Sequence, residues 1–134
     1  MKLFTFGCSY TNYYWPTWSD LLGYQFDEHQ NWAISGLGNN AIMQRVNEAL
    51  TKNKVTEDDY VVVQFTDFNR LDLHSVGILP FGNWRAGGNI WMKSVEEPWI
   101  QQTWNEESYM YMSHNYILSL IHISEPTRRL SISY

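Results

Sequence analysis

The sequence predicts an α/β domain built on a parallel sheet, and three observations carry that prediction. Short β-prone runs alternate with helical ones from Lys2 to Phe65. The strongest run, Tyr60-Val61-Val62-Val63-Gln64-Phe65, is almost continuously apolar, as expected of a strand buried on both faces. Before it, Ile42, Met43, Val46, Ala49 and Leu50 recur at helical spacing. A strand–helix–strand–helix–strand order closes into a parallel sheet through right-handed crossovers.

Taken in order, Lys2 to Phe6 reads as the first strand, ended by Gly7-Cys8-Ser9. Trp15 to Gly23 reads as a short helix, with Pro16 near its start and Gly23 at its end. Asn31 to Ile34 reads as the second strand, and Ser35 to Asn40 as the turn into the apolar-faced helix. Asn39 or Asn40 can cap that helix, because a short polar side chain satisfies the free amides of a first turn. Asp58-Asp59 reads as a solvated turn before the third strand. From Thr66 to Asn105 the pattern dissolves into a Gly-, Pro- and Trp-rich irregular region. A helix resumes over Glu106 to Ile117, with Tyr109, Met112, Ser113 and Tyr116 on one face.

Bulk properties narrow the function. The 134 residues suit one domain, and 44% hydrophobic with 17% charged residues suits a folded one. The net charge of −5 and the absence of a basic stripe argue against nucleic acid as partner. No apolar run reaches a membrane span, and no signal-peptide core is visible. A single cysteine, Cys8, forms no internal disulfide, which fits a reducing, cytoplasmic location. His29 and His114 lack ligand spacing, so neither metal nor cofactor is expected. The composition leaves the oligomeric state open.

In a parallel α/β sheet the reacting groups gather at the carboxyl ends of the strands. Three segments fall there: Gly7-Cys8-Ser9-Tyr10-Thr11, Ser35-Gly36-Leu37-Gly38-Asn39 and Thr66-Asp67-Phe68-Asn69-Arg70. Phe6-Gly7-Cys8-Ser9-Tyr10 resembles the opening block of the SGNH (GDSL-type) hydrolases, with Cys8 in place of the family's Asp. Asn31-Trp32-Ala33-Ile34-Ser35-Gly36 resembles their second block. Thr66-Asp67-Phe68-Asn69 matches the third loosely, lacking its first Gly and with the Asn one residue out of register. The fourth block, Asp-x-x-His, is absent: His74 comes too early, and His122 lies in the tail discussed below.

The resemblance implies a flavodoxin-like three-layer α/β fold and hydrolysis of an ester, on a small molecule or a glycan. Ser9 would be the nucleophile, the amides of Ser9 and Gly36 would form the oxyanion hole, and Asn69 is a candidate further donor. The helix beginning near Asn40 would aim its positive end at the same spot. The implied strand order is 2-1-3, with the third strand an exposed edge unless the following loop covers it.

From Leu118 to Arg128 the run Leu-Ser-Leu-Ile-His-Ile-Ser-Glu-Pro-Thr-Arg resembles the translation of a transposase adapter used in preparing sequencing libraries. Residues 118–134 are therefore expected to be a non-native tail, and residues 1–117 the N-terminal part of a single domain whose later strands are lost. The alternative for Leu118 to Ile123 is a native β-strand. Without the His, little or no hydrolysis is expected from this chain.

Other functional readings remain. A non-catalytic carbohydrate- or ligand-binding module could use the same fold, with the Trp-rich stretch from Trp84 to Trp104 as an aromatic platform. Cys8 could act as a thiol nucleophile, although a free Cys is more often interior. Gly36-Leu37-Gly38-Asn39-Asn40-Ala41 fits a loose dinucleotide-binding pattern, but it does not follow a first strand.

Overall fold

The computed structural model describes residues 1–74, 84–89, 98, 102, 104–124 and 130–133. Strand β1 (Lys2–Phe6) leads to helix α1 (Trp18–Gly23), strand β2 (Glu28–Asn31), helix α2 (Asn39–Lys52) and strand β3 (Tyr60–Gln64). There follow strands β4 (Arg70–His74) and β5 (Trp84–Asn89), helix α3 (Glu106–Ser124) and strand β6 (Leu130–Ser133). The main sheet is parallel, in the order β2-β1-β3-β6. The predicted α/β class and the 2-1-3 strand order both hold.

Helices cover both faces of this sheet. Phe4, Phe6, Val61 and Val63 point to one side and pack with Ala41, Ile42, Val46 and Ala49 of α2 and with Ile117 and Leu120 of α3. On the other side, Thr5 meets Ser19 of α1, and Gln64 accepts a hydrogen bond from the Trp18 indole. The thinness of that second layer corrects one expectation. Burial along β3 alternates rather than being complete, because Tyr60, Val62 and Gln64 face the short α1 side and stay half-buried.

The second strand starts earlier than its apolar residues suggest. Glu28 pairs with Lys2 and Asn31 with Thr5. Beyond Asn31 the chain still runs beside β1, with Trp32 N–H on Thr5 C=O and Ile34 N–H on Gly7 C=O. The Ala33 amide, on the side away from β1, is satisfied by Asn31 Oδ1. Helix α1 is shorter than expected, since Thr17 is its N-cap and the Asp20 carboxylate accepts from both the amide and the hydroxyl of Thr17.

The region after β3 is not wholly irregular. Strands β4 and β5 form an antiparallel pair, from Arg70 opposite Asn89 to His74 opposite Trp84. Helix α3 runs past Ile117 to Ser124, so Leu118 to Ile123 is helix rather than strand, and Leu120 is buried. Tyr109, Met112, Ser113 and Tyr116 do share one face, lining a cavity with Asn39, Arg70 and Asp72, although Met112 is 44% exposed. Nor is β3 an edge: β6 lies beside it, with Val61 opposite Leu130 and Gln64 opposite Ser133.

Asp58-Asp59 is not a wholly solvated turn either. Asp58 is exposed, whereas Asp59 is buried and accepts hydrogen bonds from the Lys2 amide and from the Thr56 amide and hydroxyl. Burial raises the Asp59 carboxyl, but those bonds outweigh it and hold the group below the ordinary carboxylate value.

Candidate functional site

Ser9 sits where β1 ends. The Cys8 carbonyl accepts from the amides of Thr11 and Asn12, so residues 8–12 make a single tight turn with Ser9 inside it. Gly7 permits this, because a methyl group there would overlap the Thr11 hydroxyl. Thr11 is fixed in turn, its hydroxyl donating to Gln64 Oε1 of β3 at 2.7 Å and its carbonyl accepting from Thr17 Oγ1 and Asn31 Nδ2. Cys8 is 1% exposed and belongs to the interior. Ser9 is half-buried and lines a cavity of about 370 Å3 with Tyr10, Tyr13, Trp15 and Thr17.

The segment after β2 is tied to the same place. Asn12 Nδ2 donates to the Ala33 carbonyl at 2.8 Å, and the Ile34 amide bonds Gly7. Leu37 N–H then returns to Ile34 C=O, closing a turn in which Gly36 has φ of 85°, a value glycine adopts without strain. Ile34 and Ser35 line a larger cavity, about 630 Å3, with Asn12, Tyr13, Tyr14 and Arg45 among its other walls. Tyr13 borders both cavities, so the Ser9 turn and the Ser35-Gly36 turn are neighbours.

Asn69 lines a different cavity. Tyr10 reaches a third cavity, with Thr66, Asp67 and Arg70. Thr66 and Asp67 also line a fourth, and Asn69 is found there beside Asn39, Ser113 and His114. The Asn69 amide bonds the Asp67 carboxylate, while its Oδ1 is buried with no hydrogen-bond partner among the described residues. Ser9 and Ser35 thus line cavities that share Tyr13, while Asn69 lines a different one.

The amino end of α2 holds a feature that sequence reasoning missed. Its N-cap is Gly38, not Asn39 or Asn40, and the cap has no side chain to supply an acceptor. Asp72, from β4, supplies it: Gly38 N–H donates to Oδ1 at 2.6 Å and Ala41 N–H to Oδ2 at 2.9 Å. Arg70 stands beside it and donates to the Leu37 carbonyl. Burial raises the Asp72 carboxyl above its ordinary value, and the amides of Ala41 and Gly38 and the charge of Arg70 offset only part of that. The positive end of α2 is thus filled by a carboxylate of the protein itself. Asp72 takes the place where a dinucleotide phosphate would lie.

Asn39 has a different task. Its side chain donates to Thr66 C=O and Ser113 Oγ and accepts from Thr66 N–H, joining α2, the end of β3 and α3. His29 is also less isolated than its spacing suggests. Its Nε2 lies 3.0 Å from Thr5 Oγ1 and 3.1 Å from Ser19 Oγ, and those hydroxyls are 2.7 Å apart. Both hydroxyl residues are fully buried, so this Ser–His pair braces β1, α1 and β2 and is closed to substrate. Burial holds the His29 imidazole below its ordinary value, partly opposed by Asp20.

Among the described residues, no histidine lines the Ser9 cavity, and no cluster of His, Cys, Asp or Glu is placed to hold a metal. No helix among them is long and apolar enough to cross a membrane. Of the Trp84–Trp104 platform, Trp91 and Trp99 lie outside the described residues. Fold and site together define an α/β protein with a serine-bearing turn at the end of its first strand. Comparison with protein-family models, curated proteins and solved structures gives no match.

Proposed function

We propose that the protein is an ester hydrolase of SGNH type on a flavodoxin-like fold, with Ser9 as nucleophile. The observation that carries this is the placing of Ser9 at the mouth of a cavity at the carboxyl end of β1, with the Ser35-Gly36 turn bonded beside it. Ser9 Oγ attacks the ester carbonyl as its proton passes to a base. The carbonyl oxygen becomes an oxyanion, received by the amides of Ser9 and Gly36. The C–O bond to the alcohol then breaks, the alcohol leaves with that proton, and water hydrolyses the acyl-serine. A serine hydroxyl is a poor nucleophile at neutral pH without such a base. Here the base must come from outside the described residues. Each amide aimed at the oxyanion is worth roughly 3 kcal/mol of barrier.

The test is fluorophosphonate labelling with peptide mapping of a full-length form that carries the base, using Ser9→Ala as control. Modification at Ser9, lost in the variant, is the expected result. Modification that survives the substitution removes Ser9 from the mechanism. A second reading, a carbohydrate- or ligand-binding module without catalysis, is favoured by the exposure of the aromatic residues that follow Ser9.

A further inference from the structure

The segment after Ser9 presents aromatic rings to solvent to an unusual degree: Tyr10 is 70% exposed, Trp15 64% and Tyr14 96%. These rings are not scattered. Tyr13 meets Tyr14 edge-on with ring centres 5.0 Å apart, and meets Trp15 at 4.3 Å, which makes one aromatic wall. Tyr13 borders both the Ser9 cavity and the larger cavity holding Asn12, Asn31 and Ser35.

We propose that these two cavities form one cleft for a neutral glycan chain, with a sugar ring on the Tyr13-Tyr14-Trp15 wall and the ester at Ser9. This deepens the hydrolase reading by naming its substrate class, and it rests on that reading only for the ester. The lining selects the ligand. An aromatic face is electron-rich and attracts the C–H face of a pyranose, while Tyr and Trp tolerate one wet edge. The hydroxyls of Ser9 and Ser35 and the Oδ1 of Asn12 supply the few polar contacts that orient a bound ring.

Competing ligands fit less well. Single-stranded nucleic acid also stacks on aromatics, but its sites add a cationic groove. Here Arg45 is the one cation among the described lining residues, and the chain carries a net charge of −5. A lipid chain calls for aliphatic walls, and among the described residues the cleft offers only Ala33 and Ile34, both in the larger cavity.

The experiment is saturation-transfer NMR on the whole chain with cellohexaose, xylohexaose and chitohexaose in turn. Binding of at least one is expected, weakened about tenfold or more in Tyr14→Ala and Trp15→Ala. Both side chains are exposed, so the variants should keep the fold, which backbone amide spectra check. No binding to any of the three overturns the proposal, as does binding that both aromatic variants retain. Preferential capture by phosphatidylcholine vesicles or oligothymidylate, or self-association lost in the same variants, also overturns it. The two readings fail separately. Glycan binding without fluorophosphonate labelling leaves the cleft and removes the hydrolase. Labelling at Ser9 without glycan binding does the reverse.

Discussion

Two strand-end turns lie close together in this molecule and use their polar groups in opposite ways. At the start of α2 the free amides are filled from within, by an Asp72 carboxylate reaching across from β4. At the end of β1 the Cys8 carbonyl closes the turn onto the amides of Thr11 and Asn12, and the Ser9 side chain lines a cavity walled with aromatic rings. The first arrangement is a structural joint, and the second places a serine hydroxyl on a cavity wall. Stability should therefore be concentrated in one, and chemistry in the other.

The largest expected effect comes from opening the joint. Asp72→Ala leaves partly buried amides without an acceptor and should lower unfolding free energy in urea by about 2–3 kcal/mol. Gly38→Ala should come next. Its Cβ would lie 2.7 Å from Asp72 Oδ2, and displacing the carboxylate should cost about 1–2 kcal/mol in the same assay. By contrast, Ser9→Ala should change stability by less than about 0.5 kcal/mol while abolishing fluorophosphonate labelling. A Ser9→Ala variant as unstable as Asp72→Ala would erase the distinction between the two turns.

Two pH effects sharpen the picture. The Asp72 carboxyl is raised in the folded state, so the native chain holds its proton to higher pH than the unfolded chain does. Its contribution is full below the ordinary carboxylate value, roughly pH 4, and is lost as pH rises through the raised value. Urea midpoints of Asp72→Asn should show a weaker decline across that window than those of the parent. The His29 imidazole is lowered, so its contribution is present above roughly pH 6.5 and is lost as pH falls through the depressed value. An NMR titration should place His29 below an unperturbed histidine, and a His29 titrating above one would contradict its enclosure by Thr5 and Ser19.

The sheet was legible because its signals are local. Lys2 to Phe6, the 3–4 spacing of Ile42, Met43, Val46 and Ala49, and the Val61-Val62-Val63 run each report their own structure. So did the position of Ser9, since a turn after a first strand needs only that strand to locate it. What escaped notice was long-range. The cap on α2 lies 34 residues downstream of Gly38, and nothing near Gly38 announces it. The alternation in Arg70-Leu71-Asp72-Leu73-His74 was a usable strand signal, obscured by the Gly- and Trp-rich stretch after it. The enclosure of His29 by Thr5 and Ser19 depends on the pairing of β1 with β2 and on where α1 packs, which spacing alone does not reveal.

The Asp72 joint also turns α2 into a gauge of the β4–β5 pair. The amide protons of Gly38 and Ala41 are held by a residue of β4, so the pair cannot lift away without releasing them to solvent. Their hydrogen-exchange rates therefore read the docking of a remote hairpin from two resonances at the head of a helix.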